Sequence, residues 1–347
     1  MIQKMKILVL NDAEAYSIGW SYTHAFRELG HEVTLFDPQQ GLRKLALWRF
    51  PVSRRLLERQ IITAYNRKLI DQICEMPADV IWVGKGSWAV PEFWHELKRR
   101  RPDVQLVCYN GDNPIVTFSR GGNRPWVTES IPCFDLFCTY NKSLLTPLLE
   151  AGAKKVACIP FAWDPKLHPD LEPTEEEREH YRCDAIFVGN GDAHREMWMK
   201  QIMEIAMPYN WRFAIYGHWN HCKDKMVLGA VRGGPVYGAE MVKAMRSSKV
   251  AINILRIQND GTHNMRTFET PGCGGVLASQ ASPEQEGYFP EGKAAIYFTS
   301  AAECVEKMRT VIENDSYQNS LAQGALEIAR HHTYRHRAES ILDALAR

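Results

Sequence analysis

Short apolar runs alternate with longer helical patterns from one end of this chain to the other, and this alternation constrains the fold most strongly. The runs are rich in valine and isoleucine, which is typical of parallel strands covered by helices on both faces. In the first half the predicted strands are 6–10, 32–36, 79–83, 104–109, 134–138 and 155–159. In the second half they are 184–189, 212–217, 249–254, 274–278 and 294–298. The predicted fold class is therefore α/β.

The length of 347 residues suits two domains better than one core. Three prolines and a run of acidic residues fall within 161–180, where a sheet can hardly continue, so we predict a linker there. The predicted domains are 1–165 and 166–332. Capping and helical patterns predict helices from Ser300 to Ile312, from 316 to 331, and from Tyr334 to the end.

The composition is that of a globular protein, with 45% hydrophobic residues, 24% charged residues and a formal net charge of +1. It gives no overall attraction to nucleic acid or membrane. No apolar run approaches the roughly 18 residues of a spanning helix, and the first residues read as a strand rather than a signal peptide. The nine cysteines form no CxxC pair, so we expect reduced thiols and a cytoplasmic protein.

The turn after strand 184–189 is a candidate anion site. Gly189 and Asn190 enter this turn, and the helix that follows carries Arg195 and Lys200. Free backbone N–H groups and the helix dipole attract an anion at such a position, and the two basic side chains would add charge. A glycine turn followed by solvated basic residues is the alternative.

The turn after strand 212–217 carries Gly217, His218 and Trp219, where an aromatic ring beside exposed backbone would frame a nucleotide base. His221 and Cys222 lie close by in sequence. Their spacing with His218 matches no usual zinc pattern and no second ligand pair is near, so we expect no metal.

An arginine and a glutamate three residues apart open the helix after strand 249–254. Asn264 or Thr262 is expected to cap this helix, leaving amides up to Thr267 to meet a phosphate. A carboxylate at Glu269 would repel a phosphate but accepts two hydrogen bonds from a ribose diol, while Arg266 faces the diphosphate. An i, i+3 ion pair on a helix surface is the alternative.

These stretches resemble the GT-B glycosyltransferases, most closely the CgeB-like (spore-maturation type) group within the family 1 and family 4 style enzymes. The resemblance is strongest over 183–340, in FVGNGDAHR, KVAINILR, MRTFETPGCGGVLAS, EGYFP, AAIYF and HHTYRHRAESIL. Weaker similarity occurs in YNGDNP, FDLFCTYNKS and KKVACIPFAWDPKLHP.

The resemblance implies two Rossmann-like doubly wound domains facing a cleft, with the C-terminal helix, 333–347, crossing back to pack on the N-terminal domain. It also implies that the second domain binds a nucleotide sugar, with Glu269 on the ribose and Arg195 and Lys200 on the diphosphate. One position departs from the pattern: family 4 enzymes carry a second glutamate eight residues earlier, where this chain has Gly261. A retaining outcome therefore does not follow.

The first domain lacks the GxGxxG of nicotinamide-dependent dehydrogenases, which argues against that activity. Ser17 and Gly19 follow its first strand and Lys85 ends a later one, so we expect these residues on the acceptor side. Asp112 stands in a turn at the end of the next strand. It is the candidate base for an inverting transfer, and an ordinary turn residue is the alternative.

Residues 41–68, here called the basic segment, hold eight Lys or Arg against one acid. Apolar residues lie among the charges, including Leu47, Trp48 and Phe50. The pattern suits an anionic membrane and a lipid-linked acceptor. It also suits a polyanion such as DNA or a phosphorylated glycan, and a solvated helix face is the third interpretation.

The sequence thus predicts a glycosyltransferase that moves a sugar from a nucleotide-diphosphate donor to a glycan, lipid-linked, protein or nucleic acid acceptor. No metal or other cofactor is expected, because the helix dipole and basic residues such as Arg266 offset the charge of the leaving diphosphate. A nucleotide-sugar epimerase of the same fold and a non-catalytic sugar-nucleotide or polymer-binding protein are the alternatives.

Overall fold

The structure is a computed structural model that describes residues 4–116, 123–259 and 261–347. The chain forms two compact units. Unit 1 comprises Met1–Pro160 and Tyr334–Arg347, and unit 2 comprises Phe161–Thr333. Each unit is built on a six-stranded sheet in which every strand pair is parallel. The predicted α/β class is confirmed.

Unit 1 begins with six strands and seven helices. The strands are β1 (Lys6–Leu10), β2 (Glu32–Phe36), β3 (Val80–Gly84), β4 (Gln105–Asn110), β5 (Leu136–Thr139) and β6 (Val156–Cys158). The helices are α1 (Ile18–Glu28), α2 (Gln39–Lys44), α3 (Ala46–Arg49), α4 (Pro51–Glu75), α5 (Pro91–Arg100), α6 (Pro125–Glu129) and α7 (Leu145–Glu150). The strand order is β2-β1-β3-β4-β5-β6, so the ends of β1 and β3 flank the point where the strand order reverses.

Unit 2 contains the next six strands and eight helices. The strands are β7 (Cys183–Val188), β8 (Phe213–Tyr216), β9 (Val231–Gly233), β10 (Ser248–Asn253), β11 (Leu277–Gln280) and β12 (Ala295–Phe298). The helices are α8 (Glu175–Tyr181), α9 (Ala193–Ala206), α10 (Lys225–Ala230), α11 (Gly238–Arg246), α12 (Arg266–Gly272), α13 (Pro283–Tyr288), α14 (Ala301–Ile312) and α15 (Asp315–Ala329). The order β12-β11-β10-β7-β8-β9 is that of dinucleotide-binding folds, with its reversal between β7 and β10.

The last helix, α16 (Tyr334–Ala346), belongs to unit 1 and packs on α1. The ring centroids of Tyr334 and Tyr22 lie 5.2 Å apart, edge to face, and Ala338 and Ile341 are fully buried. This apolar contact joins the end of the chain to the helix that follows its first strand.

Two parts of unit 2 differ from the sequence-based expectation. β9 was not predicted, because an edge strand of three residues pairs on one side only and needs no apolar run. The predicted linker, 161–180, includes most of α8, whose first turn is fixed by a capping box between Thr174 and Glu177. The change from unit 1 to unit 2 falls after Pro160.

None of the helices in the described ranges is both long enough and apolar enough to cross a membrane. All nine cysteines are free thiols, and most are buried.

The space around two helical glycines predicts opposite effects on stability when each is replaced by alanine. A Cβ at Gly324, in the middle of α15, would overlap the carbonyl oxygen of Lys293, whereas a Cβ at Gly229 in α10 would have no heavy atom within 4 Å. Gly324→Ala should therefore destabilise the protein by about 1–3 kcal/mol through overpacking. Gly229→Ala should stabilise it by about 0.5–1 kcal/mol, because alanine restricts the unfolded chain. Urea unfolding of both variants beside the parent measures the two signs, and a stabilising Gly324→Ala would contradict the packing of α15.

Candidate functional site

The predicted donor residues converge on the carboxyl edge of the unit 2 sheet. β7 and β10 are neighbours there, and the chain leaves them toward opposite sides of the sheet. Open α/β sheets bind ligands outside such a reversal point. The side chains that follow these two strands therefore form the candidate site of unit 2.

Arg195 is the most constrained cation at this edge. It lies in the first turn of α9, and its guanidinium donates to the carbonyl oxygens of Ile254 (3.1 Å) and Asn190 (2.9 Å). The guanidinium carbon also lies 5.5 Å from the centre of the Phe187 ring. Burial, followed by the positive charges of Arg256 and Arg266, lowers the pKa of Arg195 to about 10. A buried guanidinium is thus held by backbone oxygens and an aromatic face.

Arg266 and Glu269 form an ion pair in α12. Arg266 also donates from Nε to the carbonyl oxygen of Val188 at the end of β7, at 2.9 Å. Glu269 is 5% exposed, so this pair is not the surface pair weighed as the alternative. Its Oε2 accepts from Arg266, and its Oε1 has no hydrogen-bond partner among the described residues. One oxygen of a nearly buried carboxylate is therefore open to a neutral donor.

Arg256 adds a third guanidinium that sequence reasoning did not identify. It follows β10 by three residues, and its Nε lies 3.7 Å from the Asp192 carboxylate. Together with Arg195 and Arg266 it forms what we call the guanidinium cluster. Among the described residues, three cations face two carboxylates here, those of Glu269 and Asp192. The cluster has an excess of positive charge that an anionic ligand would offset.

His168 is a second residue that the sequence analysis did not single out. It is buried, and its Nδ1 lies 3.1 Å from the carbonyl oxygen of Asp164. Burial lowers the pKa of His168, and the nearby Glu269 carboxylate opposes that shift. It belongs to the stretch KLHP, where a histidine between prolines carries no periodic signal. Only the folded chain brings it near Glu269.

Two backbone amides near the start of α9 are engaged. Asp192 caps this helix and accepts the N–H of Arg195 at 3.0 Å, so a carboxylate already occupies the helix N-terminus. The N–H of Gly191 donates to the carbonyl oxygen of His218 at 2.9 Å. The guanidinium groups of Arg195 and Arg266 therefore add side-chain charge beside this helix N-terminus.

The turns after β7 and β8 hold each other. Asn190 Oδ1 accepts the N–H of His218 at 3.0 Å, and the indole N–H of Trp219 donates to the carbonyl oxygen of Gly189 at 3.0 Å. Gly217 has a φ of 147°, and a Cβ there would overlap the Gly189 carbonyl. Trp219 is buried against Phe187, so its ring belongs to the core and does not frame a base. His218 is exposed beside it.

Asn264 and Thr267 support the site from inside. Both are buried, and Asn264 Oδ1 accepts the N–H of Thr267 at 3.2 Å, although the N-cap position of α12 is Met265 and not Asn264. The Thr267 hydroxyl donates to Gln285 at 2.7 Å, and Asn264 exchanges hydrogen bonds with Asn253. The Thr267 amide is therefore engaged, and these side chains fix α12 against the sheet.

Lys200 lies apart from Arg195. Its Nζ is 3.4 Å from Asp224 and 3.7 Å from Glu204, on the exposed side of α9. Five residues advance a helix by one turn and about 140°, so Arg195 and Lys200 leave α9 in different directions. Lys200 therefore pairs with surface acids in this structure, and its place on a diphosphate stays a prediction.

Within the described part of the chain, His, Cys, Asp and Glu side chains make no group of three or more that could hold a metal ion. His218, His221 and Cys222 do not form such a group.

In unit 1, Ser17 and Gly19 shape the start of α1 beside the end of β1. The Ser17 hydroxyl accepts the N–H of Trp20 at 3.1 Å and donates to the carbonyl oxygen of Asp12 at 2.7 Å. The Asn11 side chain fills the space where Gly19 and Gly84 lack a Cβ. Ser17 therefore caps α1, and Gly19 leaves room for the Asn11 side chain. Asn11 is a polar side chain at this edge that the sequence analysis did not single out.

Lys85 and Asp112 are brought together at the ends of β3 and β4. Lys85 Nζ lies 2.7 Å from Asp112 Oδ2, and both side chains are partly exposed. Lys85 has a φ of 59°, a left-handed conformation that costs a non-glycine residue about 1–2 kcal/mol. The Asp112 N–H donates to Asn110 Oδ1 at 2.9 Å, so Asp112 is also a turn residue. The predicted base and the predicted acceptor-side lysine form one ion pair.

One known protein family matches most of unit 2 together with part of the last helix. Residues 195–343 match the protein family described as glycosyl transferase-like. This segment includes the guanidinium cluster and Glu269. No curated protein matches the sequence.

Solved structures match the chain over nearly its whole length. The chain is similar to sucrose-phosphate synthase from Thermosynechococcus elongatus, with a TM-score of 0.68, 10% identity and 98% of each chain covered. It is similar to the UDP-forming α,α-trehalose-phosphate synthase from Burkholderia xenovorans, with a TM-score of 0.67, 13% identity and 99% of each chain covered. Anabaena Alr3699/HepE in complex with UDP-glucose gives a TM-score of 0.65 at 13% identity, with 99% of each chain covered. At these identities the similarity shows the fold, and this chain has the two-sheet α/β fold of the GT-B glycosyltransferases, as predicted.

Proposed function

We propose that this protein is a glycosyltransferase that takes a sugar from a nucleotide-diphosphate donor and transfers it to an acceptor. The observation that carries the proposal is the guanidinium cluster around a nearly buried glutamate at the reversal point of the unit 2 sheet. The family match over 195–343 supports sugar transfer. The similar Anabaena protein was solved with UDP-glucose, which supports a nucleotide-sugar partner.

In this proposal unit 2 binds the donor. Oε1 of Glu269 accepts hydrogen bonds from the ribose hydroxyls, since it has no partner in the described residues. Arg195 and Arg266 are anchored on the strand ends by carbonyl oxygens, so they present fixed positive charge to the diphosphate. Arg256 is half-exposed and would add its charge to those of Arg195 and Arg266 at the diphosphate. Lys200 is left out, because it pairs with acids on the helix surface.

The proposed chemistry is direct displacement at the anomeric carbon. The acceptor hydroxyl oxygen forms the new glycosidic bond, the bond from that carbon to the diphosphate oxygen breaks, and the nucleoside diphosphate leaves with the electron pair. Asp112 takes the proton from the acceptor hydroxyl. Lys85 holds the Asp112 carboxylate at 2.7 Å, so it positions the base.

Three finer assignments belong to the proposal. Membership of the CgeB-like group rests on the sequence resemblance over 183–340. Metal-independent transfer rests on the guanidinium cluster, which would offset the leaving-group charge without a cation. A cytoplasmic location rests on nine free thiols, which are typical of a reducing compartment.

Glu269 should recognise the ribose diol. We expect Glu269→Ala to weaken binding of a nucleoside diphosphate about 10- to 100-fold, because hydrogen bonds to a charged group contribute about 1.5–3 kcal/mol. The parent should also prefer UDP, GDP, ADP or CDP, whichever binds, over its 2′-deoxy analogue, and Glu269→Ala should lose that preference. Calorimetric titration of both proteins with both ligands measures the coupling. Glu306→Ala, at an exposed position of α14, is the control. Equal discrimination by Glu269→Ala and the parent would refute the ribose role.

Arg256 gives the cleanest test of the guanidinium cluster. Arg195 and Arg266 hold strand ends, whereas the Arg256 side chain makes one ion pair within the described residues, at 3.7 Å, so its removal should leave folding intact. We expect Arg256→Gln to weaken nucleoside diphosphate binding about tenfold while leaving the melting temperature of the free protein unchanged. Arg330→Gln, at an exposed position of unit 2, should bind like the parent. Unaltered binding by Arg256→Gln would remove it from the donor site.

Asp112 should matter for chemistry and not for donor binding. We expect Asp112→Asn to slow transfer of the sugar, to the acceptor or to water, at least about 100-fold. The rate is measured as release of the nucleoside diphosphate. Its nucleotide affinity should stay that of the parent. Asp71→Asn, at an exposed site of unit 1, is the matched control. Turnover near that of the parent would reject Asp112 as the base. Interconversion of free nucleotide sugars would indicate an epimerase, and nucleotide binding without any turnover would indicate a binding protein.

A further inference from the structure

An apolar surface lies within the basic segment of unit 1. Six large apolar side chains are exposed in a stretch of thirteen residues: Leu45, Leu47, Phe50, Val52, Leu56 and Leu57. The most exposed are Leu56 at 72%, Val52 at 71% and Phe50 at 65%. Val52 and Leu56 are four residues apart in α4 and so share one face of that helix. An exposed cluster of this kind marks an interaction surface more often than a scattered set does.

Buried residues of the basic segment anchor it to unit 1, so the exposed apolar side chains do not result from loose packing. Leu42, Ile61 and Ile62 are buried in a cluster with Trp126 of α6. The Ser53 hydroxyl donates to the carbonyl oxygens of Leu47 (2.7 Å) and Phe50 (3.0 Å), which ties α3 to the start of α4. The exposed apolar residues are therefore presented by a fixed turn.

The charges around these apolar residues are unbalanced. Lys44, Arg49 and Arg55 are exposed and form no ion pair within the described residues. Arg54 also lacks one there, and its guanidinium carbon lies 5.8 Å from the centre of the Trp48 ring. These four side chains, here called the unpaired cations, lie in the same stretch of the chain as the exposed apolar residues. The surface offers hydrocarbon and positive charge together.

We propose that the basic segment docks on an anionic phospholipid bilayer. Phe50, Val52 and Leu56 enter the boundary between headgroups and acyl chains, and the unpaired cations contact lipid phosphates. A nucleic acid would supply the phosphates but no hydrocarbon to receive the apolar side chains. A groove of about 270 Å³ beside them is lined by Leu45, Leu47, Ile61 and Tyr65, which adds apolar surface at the same place. The inference does not depend on the donor site of unit 2.

Vesicle binding by the full chain tests this inference. We expect co-sedimentation with vesicles of phosphatidylcholine and phosphatidylglycerol, little with phosphatidylcholine alone, and release at high salt. Leu56→Ser should lower vesicle affinity about tenfold through lost apolar contact. Leu149→Ser, at a 51% exposed position of α7, should bind like the parent. Because both positions are exposed, unchanged melting temperatures confirm that folding is not the cause.

A charge variant tests the second component. Arg54→Gln with Arg55→Gln should lower the affinity for anionic vesicles about 30-fold, because each cation near such a surface contributes about 1 kcal/mol. Lys142→Gln with Arg335→Gln removes two exposed charges of unit 1 outside the segment and should have little effect. The inference is overturned if the parent ignores anionic vesicles, or if Leu56→Ser binds them like the parent. It is also overturned if the parent binds DNA but no vesicles. A change in the oligomeric state of Leu56→Ser, with vesicle binding unchanged, would likewise overturn it and would indicate an interface between copies of this chain.

Discussion

The burial of the Arg195 guanidinium is the interaction on which the candidate donor site depends. A buried charge is costly unless it is well hydrogen-bonded, and this one is held by two carbonyl oxygens, from the turn after β7 and the end of β10. Those contacts fix the two strand ends relative to each other. Arg266 repeats the arrangement on Val188, which brings Glu269 to the same edge. Among the described residues, three guanidinium groups here face two carboxylates, and a bound diphosphate would offset the excess positive charge.

Much of the fold could be predicted from the sequence because buried parallel strands need apolar residues on both faces. Eleven of the twelve strands lie within a few residues of their predicted positions, and Ser300 caps α14 as expected. β9 was not predicted, because an edge strand needs few apolar residues. α8 was not predicted, because prolines and acidic residues suggested a linker. The same acidic residues form the first turn of this capped helix.

The site was less predictable, because motif spacing specifies which residues end a strand but not where their side chains point. Glu269 and Arg266 lie at the predicted edge, and Lys85 and Asp112 meet in unit 1. Lys200 and Trp219 point elsewhere, one to surface acids and one into the core. Arg256 and His168 come from irregular segments, where no periodicity signals their position. The sequence predicted Arg195 and Arg266 at the donor edge, but it did not identify Arg256 as a third guanidinium there.

The central claim is that unit 2 binds a nucleoside diphosphate through side-chain charge. Thermal unfolding in the presence of UDP, GDP, ADP, CDP or dTDP, each with EDTA and with Mg²⁺, tests it most directly. The account predicts that at least one of these nucleotides, at about 100 times its Kd, stabilises the protein by about 2.7 kcal/mol, and equally in EDTA and Mg²⁺. No stabilisation by any of the five nucleotides would contradict it.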